Sequence, residues 1–139
     1  MGSGQWAVGS RELFAMSKAV NSYRDLRVWQ DAMTLAETCY VLTRKFPRDE
    51  MFGLTSQIRR AATSIPANIA EGYGRDNSGN YIQFLRIAQG SLKEVETHLL
   101  ISLRVSVASA SAIEPILERC DSLGRMLRTL IRSIEVKKR

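Results

Sequence analysis

The residues that most often act as nucleophiles or bases are scarce in this chain of 139 residues, which has one histidine and two cysteines. A nucleophilic site needs a base, usually a histidine, within reach of a serine or cysteine. His98 is followed by Leu99, Leu100 and Ile101 within a helical pattern. Its position therefore favours a structural or interface histidine over a catalytic base.

The carboxylates do not form a recognisable metal site. Helical di-metal proteins combine Glu residues with Glu-x-x-His motifs on facing helices. Glu94 and Glu96 precede His98 without that spacing, and the chain has no Gly-rich P-loop for phosphate. We therefore predict that the protein is not an enzyme and has no catalytic residue, metal or cofactor. An enzyme that uses Glu71 and Glu94 is the remaining catalytic hypothesis.

Four polar residues fall near the apolar faces of two predicted helices: Asn68, Glu71, Ser91 and Glu94. A buried polar group without a hydrogen bond costs about 1–3 kcal/mol, so these side chains are expected to have partners. We interpret them as a structural polar network that sets the register of the helices. A functional cleft is the alternative interpretation.

Positive charge gives the strongest functional signal. The chain has 20 basic and 14 acidic residues, a net charge of +6, and the segment 125–139 alone contributes six basic residues against Glu135. A basic face attracts phosphate by releasing counterions, so contact with RNA or DNA is predicted; a solvated helix face with a basic tail is the alternative. Arg125, Arg128 and Arg132 are spaced three and four residues apart, which predicts one stripe of the fourth helix that points away from the core. The candidate contacts are Arg125, Arg128, Arg132, Lys137, Lys138, Arg139, Arg59, Arg60, Arg75 and Arg86.

Four helices must position these side chains. The chain is 45% apolar with only 9 Gly and 3 Pro, and apolar residues recur at alternating spacings of three and four with no useful strand pattern. The fold class is therefore all-α, an antiparallel up-down four-helix bundle in a single domain. The predicted segments are a flexible or non-native lead-in over 1–22, a bundle over 23–136 with helices at about 26–46, 52–72, 80–105 and 112–136, and a basic tail over 137–139.

The first predicted helix carries two adjacent apolar seams. One seam runs from Val28 to Phe46, and a second lies beside it, formed by Trp29, Met33, Ala36 and Tyr40. A helix with two apolar stripes usually contacts more than one neighbour. One stripe is expected to close the bundle and the other to meet a second subunit, so we predict a homo-oligomer.

Several positions predict local features of the helices. Pro66 removes a backbone hydrogen bond from the second helix and should kink it. Gly90 lowers helix propensity in the third, so close approach of another helix is expected there. Ser22 with Asp25, and Ser111 with Glu114, match the capping-box pattern ahead of the first and fourth helices.

The two cysteines, Cys39 and Cys120, fall on apolar seams, so they are expected to be buried free thiols. Unpaired thiols are typical of a reducing compartment, which predicts a cytoplasmic protein. No stretch reaches the ~20 apolar residues of a membrane span, and no secretory signal is recognisable. No membrane partner is therefore predicted.

Several stretches resemble a known family, over about Tyr23 to Ile134. They are Asp25–Gln30 (DLRVWQ), Gly53–Ala62 (GLTSQIRRAA), Ser64–Gly72 (SIPANIAEG), Phe84–Leu92 (FLRIAQGSL), Glu94, Glu96 and Thr97. Together they are similar to the four-helix-bundle family encoded in intervening sequences of bacterial 23S ribosomal RNA genes. Pro66 and Gly72 belong to this motif, together with the polar residues named above. The linker over 106–111 departs from the Gly- and Tyr-containing turn usual in the family.

The resemblance implies a four-helix bundle that assembles as a ring-shaped homopentamer without known catalytic activity. A distant relative with the same bundle is the accessory variability protein of diversity-generating retroelements, which binds nucleic acid and a reverse transcriptase. Two functions therefore compete for this chain. The first is a non-enzymatic oligomer that contacts RNA or DNA, and the second is a protein-interaction scaffold such as an accessory subunit of a retroelement reverse transcriptase.

Overall fold

The computed structural model describes residues 20–138, and this part of the chain is all-helical without strands, as predicted. Predictions on the lead-in before Val20 and on Arg139 lie outside the described residues. The four α-helices are α1 Arg27–Thr43, α2 Leu54–Tyr73, α3 Ser78–Arg104 and α4 Ala110–Lys138, with short 3-10 turns at Tyr23–Asp25 and Arg48–Glu50. None of these helices is long and apolar enough to cross a membrane.

The helices pack in chain order around one core, α1 on α2, α2 on α3, α3 on α4 and α4 back on α1. The side formed by α1 and α2 is therefore opposite the side formed by α3 and α4. Arg86, near the start of α3, contacts Glu135, near the end of α4. Leu92 of α3 lies beside Gly124, earlier in α4, so these two helices run antiparallel.

The core consists largely of the apolar residues that recur at helical spacing in the sequence, with Ile113 and Ile131 of α4 added to them. Each helix contributes aliphatic residues that are almost fully buried, and α1 and α4 add the two thiols. The largest fully buried side chains are Leu35, Ile58, Ile65, Ile69, Leu85, Leu92, Leu99, Ile113, Leu123 and Leu127. Burial of these side chains is the main driving force for closing the four helices on one another.

Two helix starts differ from the capping-box predictions. Ser22 and Asp25 do form a capping box, but it begins the 3-10 turn at Tyr23–Asp25, and α1 begins after Leu26 without a side-chain cap. Ser111 does not cap α4, because the helix already begins at Ala110. The Ser109 hydroxyl instead accepts a hydrogen bond from the backbone N–H of Ala112 at 3.3 Å.

Pro66 and the glycines within α2 and α3 show how closely these two helices pack. α2 continues through Pro66, which is buried within it. Gly90 does not mark a close approach, because a Cβ built there would meet no other atom within 4 Å. The close approach of α2 and α3 occurs at Gly72, where a Cβ would lie 2.7 Å from the Cβ of Phe84.

The linker after α3 ends the helix with a Schellman motif. The backbone N–H of Val107 donates to the carbonyl of Ser102 at 2.9 Å, and that of Ser106 donates to Leu103 at 3.1 Å. This geometry places Ser106 at φ 64°, in the left-handed region. A residue with a Cβ is strained there, and glycine is the usual occupant.

Replacing Ser106 with glycine is therefore expected to stabilise the protein by about 1 kcal/mol, because the left-handed strain disappears while both backbone hydrogen bonds remain. Thermal unfolding of the Ser106→Gly variant would measure the gain. Ser109→Gly is a suitable control, since it removes the hydroxyl that caps α4 and should destabilise the protein or leave it unchanged. A lower melting temperature for Ser106→Gly would contradict the expectation.

Candidate functional site

The basic stripe of α4 lies on the surface. Arg125, Arg128 and Arg132 are all exposed, as their spacing of three and four residues predicted. The Cβ position at Gly124 lies 3.5 Å from Leu92 of α3 and 3.8 Å from the Arg128 guanidinium, so this part of α4 borders α3. The stripe therefore follows the seam between α3 and α4.

Basic residues of α3 join the same seam. The Arg86 guanidinium forms an ion pair with Glu135 of α4 at 3.0 Å. Lys93 lies one heptad after Arg86, is exposed, and follows Leu92, which packs against Gly124 of α4. Arg86, Lys93, Arg125, Arg128 and Arg132 together form a surface that we name the basic edge.

Acidic residues neutralise part of the basic edge. Lys93 pairs with Glu96 at 3.1 Å, and Arg125 pairs with Asp121 at 3.5 Å, in addition to the pair between Arg86 and Glu135. Arg128 and Arg132 form no ion pair with any residue in the range 20–138. These two guanidinium groups are therefore the ones most available to an external anion.

Sequence reasoning missed Lys93 as a member of this surface. Its spacing of seven residues from Arg86 puts both side chains on one face of α3, and that signal was present in the sequence. The sequence did not reveal that this face borders the α4 stripe. The neighbouring positions of Arg86 and Arg132 depend on how α3 and α4 pack.

Three predicted contacts lie elsewhere, and their side chains are engaged within the chain. Arg59 donates to the Thr43 hydroxyl at 2.8 Å and lies over the Tyr40 ring at 4.5 Å, between α2 and α1. Arg60 donates to Gln57 at 2.6 Å. Arg75 pairs with Glu71 at 2.7 Å and covers the Phe84 ring. The structure does not bring these three residues to the basic edge.

The basic tail is only partly described. Lys137 is exposed near the end of α4, and Lys138 is the last residue of that helix. Arg139 and the orientation of the Lys138 side chain lie outside the described part of the chain. The candidate surface is therefore defined by residues of the bundle itself.

A polar network joins α2 to α3. The hydroxyls of Ser64 and Ser91 lie 2.8 Å apart, and the Asn68 amide donates to the Ser64 hydroxyl at 3.0 Å and to its carbonyl at 2.8 Å. Ser64, which sequence reasoning did not single out, is the link between Asn68 and Ser91. These hydrogen bonds satisfy the polar groups at the interface and fix the register of the two helices.

The two glutamates predicted near the buried stripes are not part of this network. Glu71 is exposed and pairs with Arg75. Glu94 is also exposed, so the two carboxylates do not meet in a cleft with Ser91.

His98 lies half-buried on α3. No group of three His, Cys, Asp or Glu residues suited to a metal ion occurs within residues 20–138.

The second apolar seam of α1 lines a surface groove of about 650 Å³ between α1 and α2. Trp29, Met33 and Tyr40 form its α1 wall, while Pro66 and Ala67 of α2 form the other side. Met33 and Tyr40 are exposed and Trp29 is half-buried, whereas Ala36 of this seam is buried, so the other helices of the bundle cover the seam only in part. The groove lies on the side of the molecule opposite the basic edge.

The two cysteines are free and buried in the core. Burial raises the pKa of each thiol to about 12, because the thiolate loses its hydration. The negative charge that Cys39 would carry when ionised further raises the pKa of Cys120. Both are therefore neutral thiols at physiological pH, inert rather than nucleophilic.

Comparisons with known proteins agree with the geometry of the bundle. One similar structure is the crystal structure of a protein of unknown function from the S23 ribosomal protein family of Bacteroides thetaiotaomicron VPI-5482. It matches this chain with a TM-score of 0.68 and 24% sequence identity, and the match covers 75% of this chain and 97% of that one. This similarity establishes the fold. No curated protein matched. The family model described as 23S rRNA-intervening sequence protein matches residues 24–129. Because this match spans well over half of the sequence, the chain belongs to the 23S rRNA-intervening sequence protein family.

Proposed function

We propose that this protein contacts the phosphate backbone of RNA or DNA through the basic edge and has no enzymatic activity. The observation that carries the proposal is the placement of Arg128 and Arg132, exposed side by side on α4 without an ion pair within the described bundle. Guanidinium groups present several donors in a planar fork that matches phosphate oxygens. Arg86, Lys93 and Arg125 extend the positive surface along the same seam.

The basic edge carries five basic side chains and the three acidic partners Glu96, Asp121 and Glu135, so two positive charges remain uncompensated. This excess supports weak, salt-dependent contact with a phosphate backbone rather than recognition of a base sequence. Repetition of the edge around an oligomer would multiply the number of phosphates neutralised. The proposal therefore includes an assembly, for which the family resemblance supports a ring-shaped homopentamer.

Filter binding to a short structured RNA at about 50 and 200 mM salt would test the proposal. The Arg128→Ala/Arg132→Ala variant is expected to bind about tenfold more weakly at low salt, with a smaller salt dependence, because two phosphate contacts are lost. Lys45→Ala/Arg104→Ala is the matched control. It removes the same charge from exposed sites at the opposite end of the bundle. Equal affinities for the two variants, or no binding by the wild type at low salt, would contradict the proposal.

The absence of catalysis is supported by what the candidate carboxylates do. Glu71 is held in an exposed ion pair with Arg75, and Glu94 lies on the surface away from the polar network. Neither carboxylate has the burial that usually shifts the pKa of a catalytic acid or base.

The unpaired, buried Cys39 and Cys120 support a reducing compartment, the cytoplasm, as the site of function.

The second candidate function is a protein-interaction scaffold, such as an accessory subunit of a retroelement reverse transcriptase. The open apolar groove between α1 and α2 favours it, because such surfaces commonly receive a protein partner. A reverse transcriptase gene with a template repeat beside this gene would support the scaffold. Location of the gene inside a ribosomal RNA gene would support the RNA-associated function.

A further inference from the structure

The connection between α1 and α2 presents an exposed apolar pair. Phe52 is 91% exposed and Met51 is 50% exposed, so the phenyl ring contributes almost nothing to the core. Full exposure of an aromatic side chain forgoes the stabilisation that burial would provide. We name Met51 and Phe52 the knob, and we name the apolar surface between α1 and α2 the groove.

We propose that the knob of one chain inserts into the groove of the next, so that copies of this protein associate head to tail. The inference rests on the proposed homo-oligomer and specifies the residues that build its interface. The groove has room for both side chains, at about 650 Å³, and its walls are mainly apolar. Each surface supplies what the other lacks, an apolar protrusion and an apolar cleft.

The knob lies in a hydrogen-bonded connection and does not line the groove of its own chain. The turn at Arg48–Glu50 is closed by backbone hydrogen bonds from Glu50 to Pro47 and from Met51 to Arg48. The Glu50 carboxylate accepts from the backbone N–H of Leu54 at 3.1 Å and fixes the start of α2. Because the knob lies in the connection beyond the end of α1 and is exposed, its side chains are accessible to another molecule.

Charges beside the two surfaces are complementary. Arg48 and Asp49 are exposed three and two residues before Met51, and Glu50, which lies between them and the knob, is engaged with the backbone of Leu54. Glu37 and Arg44 line the groove, seven residues or about 10 Å apart along α1. Arg48, Asp49, Glu37 and Arg44 form no ion pair with a residue in the described range. Insertion of the knob can therefore bring Arg48 towards Glu37 and Asp49 towards Arg44 of the next chain.

Two different surfaces meet in this contact, so the interface is heterologous. A heterologous interface either closes into a ring or continues as a filament. Because the knob and the groove both belong to the side formed by α1 and α2, the contact leaves the basic edge on the other side uncovered. The assembly and the proposed contact with nucleic acid are therefore compatible.

Light scattering after size exclusion, with the full chain at micromolar concentration, tests the inference. The wild type is expected to be an oligomer. Phe52→Asp removes the knob, and Ala67→Glu places a charge in the groove at an exposed position. Each variant alone is expected to run as a monomer of about 16 kDa, with association weakened at least a hundredfold. Val136→Asp, which adds the same charge at an exposed apolar residue of α4, is the control and should stay oligomeric.

Mixing the two defective variants gives the decisive result. The Phe52→Asp chain keeps its groove and the Ala67→Glu chain keeps its knob, so the mixture should form a one-to-one dimer and nothing larger. Circular dichroism of each variant should match the wild type, because both sites lie on the surface. A mixture that stays monomeric would show that the knob does not enter the groove.

Charge exchange gives an independent measurement. Glu37→Arg and Arg48→Glu should each weaken association, and the double variant should recover most of it, because each chain then carries both exchanged partners. An oligomeric Phe52→Asp variant would overturn the inference while leaving the homo-oligomer intact. A monomeric wild type would overturn both, and neither result depends on whether RNA binds.

Discussion

Replacing Gly72 with alanine is expected to destabilise the protein by about 2 kcal/mol, although alanine is the better helix former by ~1 kcal/mol. Gly72 is buried in the last turn of α2, and a Cβ there would lie 2.7 Å from the Phe84 Cβ and 3.1 Å from the Tyr81 ring. The Phe84 Cβ is attached to the backbone of α3, so it moves only if the helix moves. The added methyl group must therefore push the ends of α2 and α3 apart.

Gly90→Ala is the matched control for this prediction. Gly90 is also helical, but a Cβ at this position meets no atom within 4 Å, so the substitution should give the propensity gain of ~1 kcal/mol without a clash. Urea titrations of both variants would measure the difference, which is expected to be about 3 kcal/mol. Equal stabilities, or a more stable Gly72→Ala variant, would show that α2 and α3 are not in close contact at this point.

The contrast between these glycines shows where sequence reasoning reaches its limit. Both lie within long helical patterns, and propensity alone disfavours both equally. Helical periodicity indicates which face of its own helix a residue occupies, but the atoms opposite that face depend on the packing of two helices. The sequence therefore predicts a close approach at Gly90 of α3, whereas in the structure the close approach is at Gly72 of α2.

The core of α4 illustrates a related limit. The spacing of Leu123, Leu127, Leu130 and Ile134 in the sequence predicts a heptad seam on this helix. In the structure Ile131 is buried, whereas Leu130 and Ile134 are only partly buried. A heptad implies 3.5 residues per turn, and a straight helix has 3.6, so the buried face drifts by ~20° per heptad. The centre of the seam was therefore predictable, and its end was not.

The candidate site was predictable to a similar degree. The spacing of Arg125, Arg128 and Arg132 was enough to predict that they share one exposed stripe. The ion pair between Arg86 and Glu135 joins residues 49 positions apart, and it exists because α3 and α4 are antiparallel in this register. Sequence patterns indicate the charge on each helix, whereas the compensation of that charge by a neighbouring helix is a property of the packed structure.

Stability should fall steeply at alkaline pH because of the two buried thiols. In the folded protein the pKa of Cys39 and of Cys120 is about 12, whereas an unfolded thiol has a pKa of about 8.5. Below pH 8.5 the thiols are protonated in both states and impose no penalty. Above it the unfolded chain releases protons that the folded chain retains, so the free energy of unfolding decreases as pH rises towards 12.

The expected loss is roughly 3–4 kcal/mol between pH 8 and pH 10 for the two thiols together, a large part of the stability of a typical domain. Chemical denaturation across this range would measure it. The Cys39→Ala/Cys120→Ala variant is expected to be less stable than the wild type at neutral pH, because the packing contacts of the two buried sulfur atoms are lost. Its free energy of unfolding should, however, depend much less on pH. Burial also raises the pKa of Tyr81 to about 12, so the tyrosine adds to the slope only above about pH 10 and leaves the lower window to the thiols. An alkaline slope that is the same with and without the cysteines would show that the thiols are not held neutral in the core of the bundle.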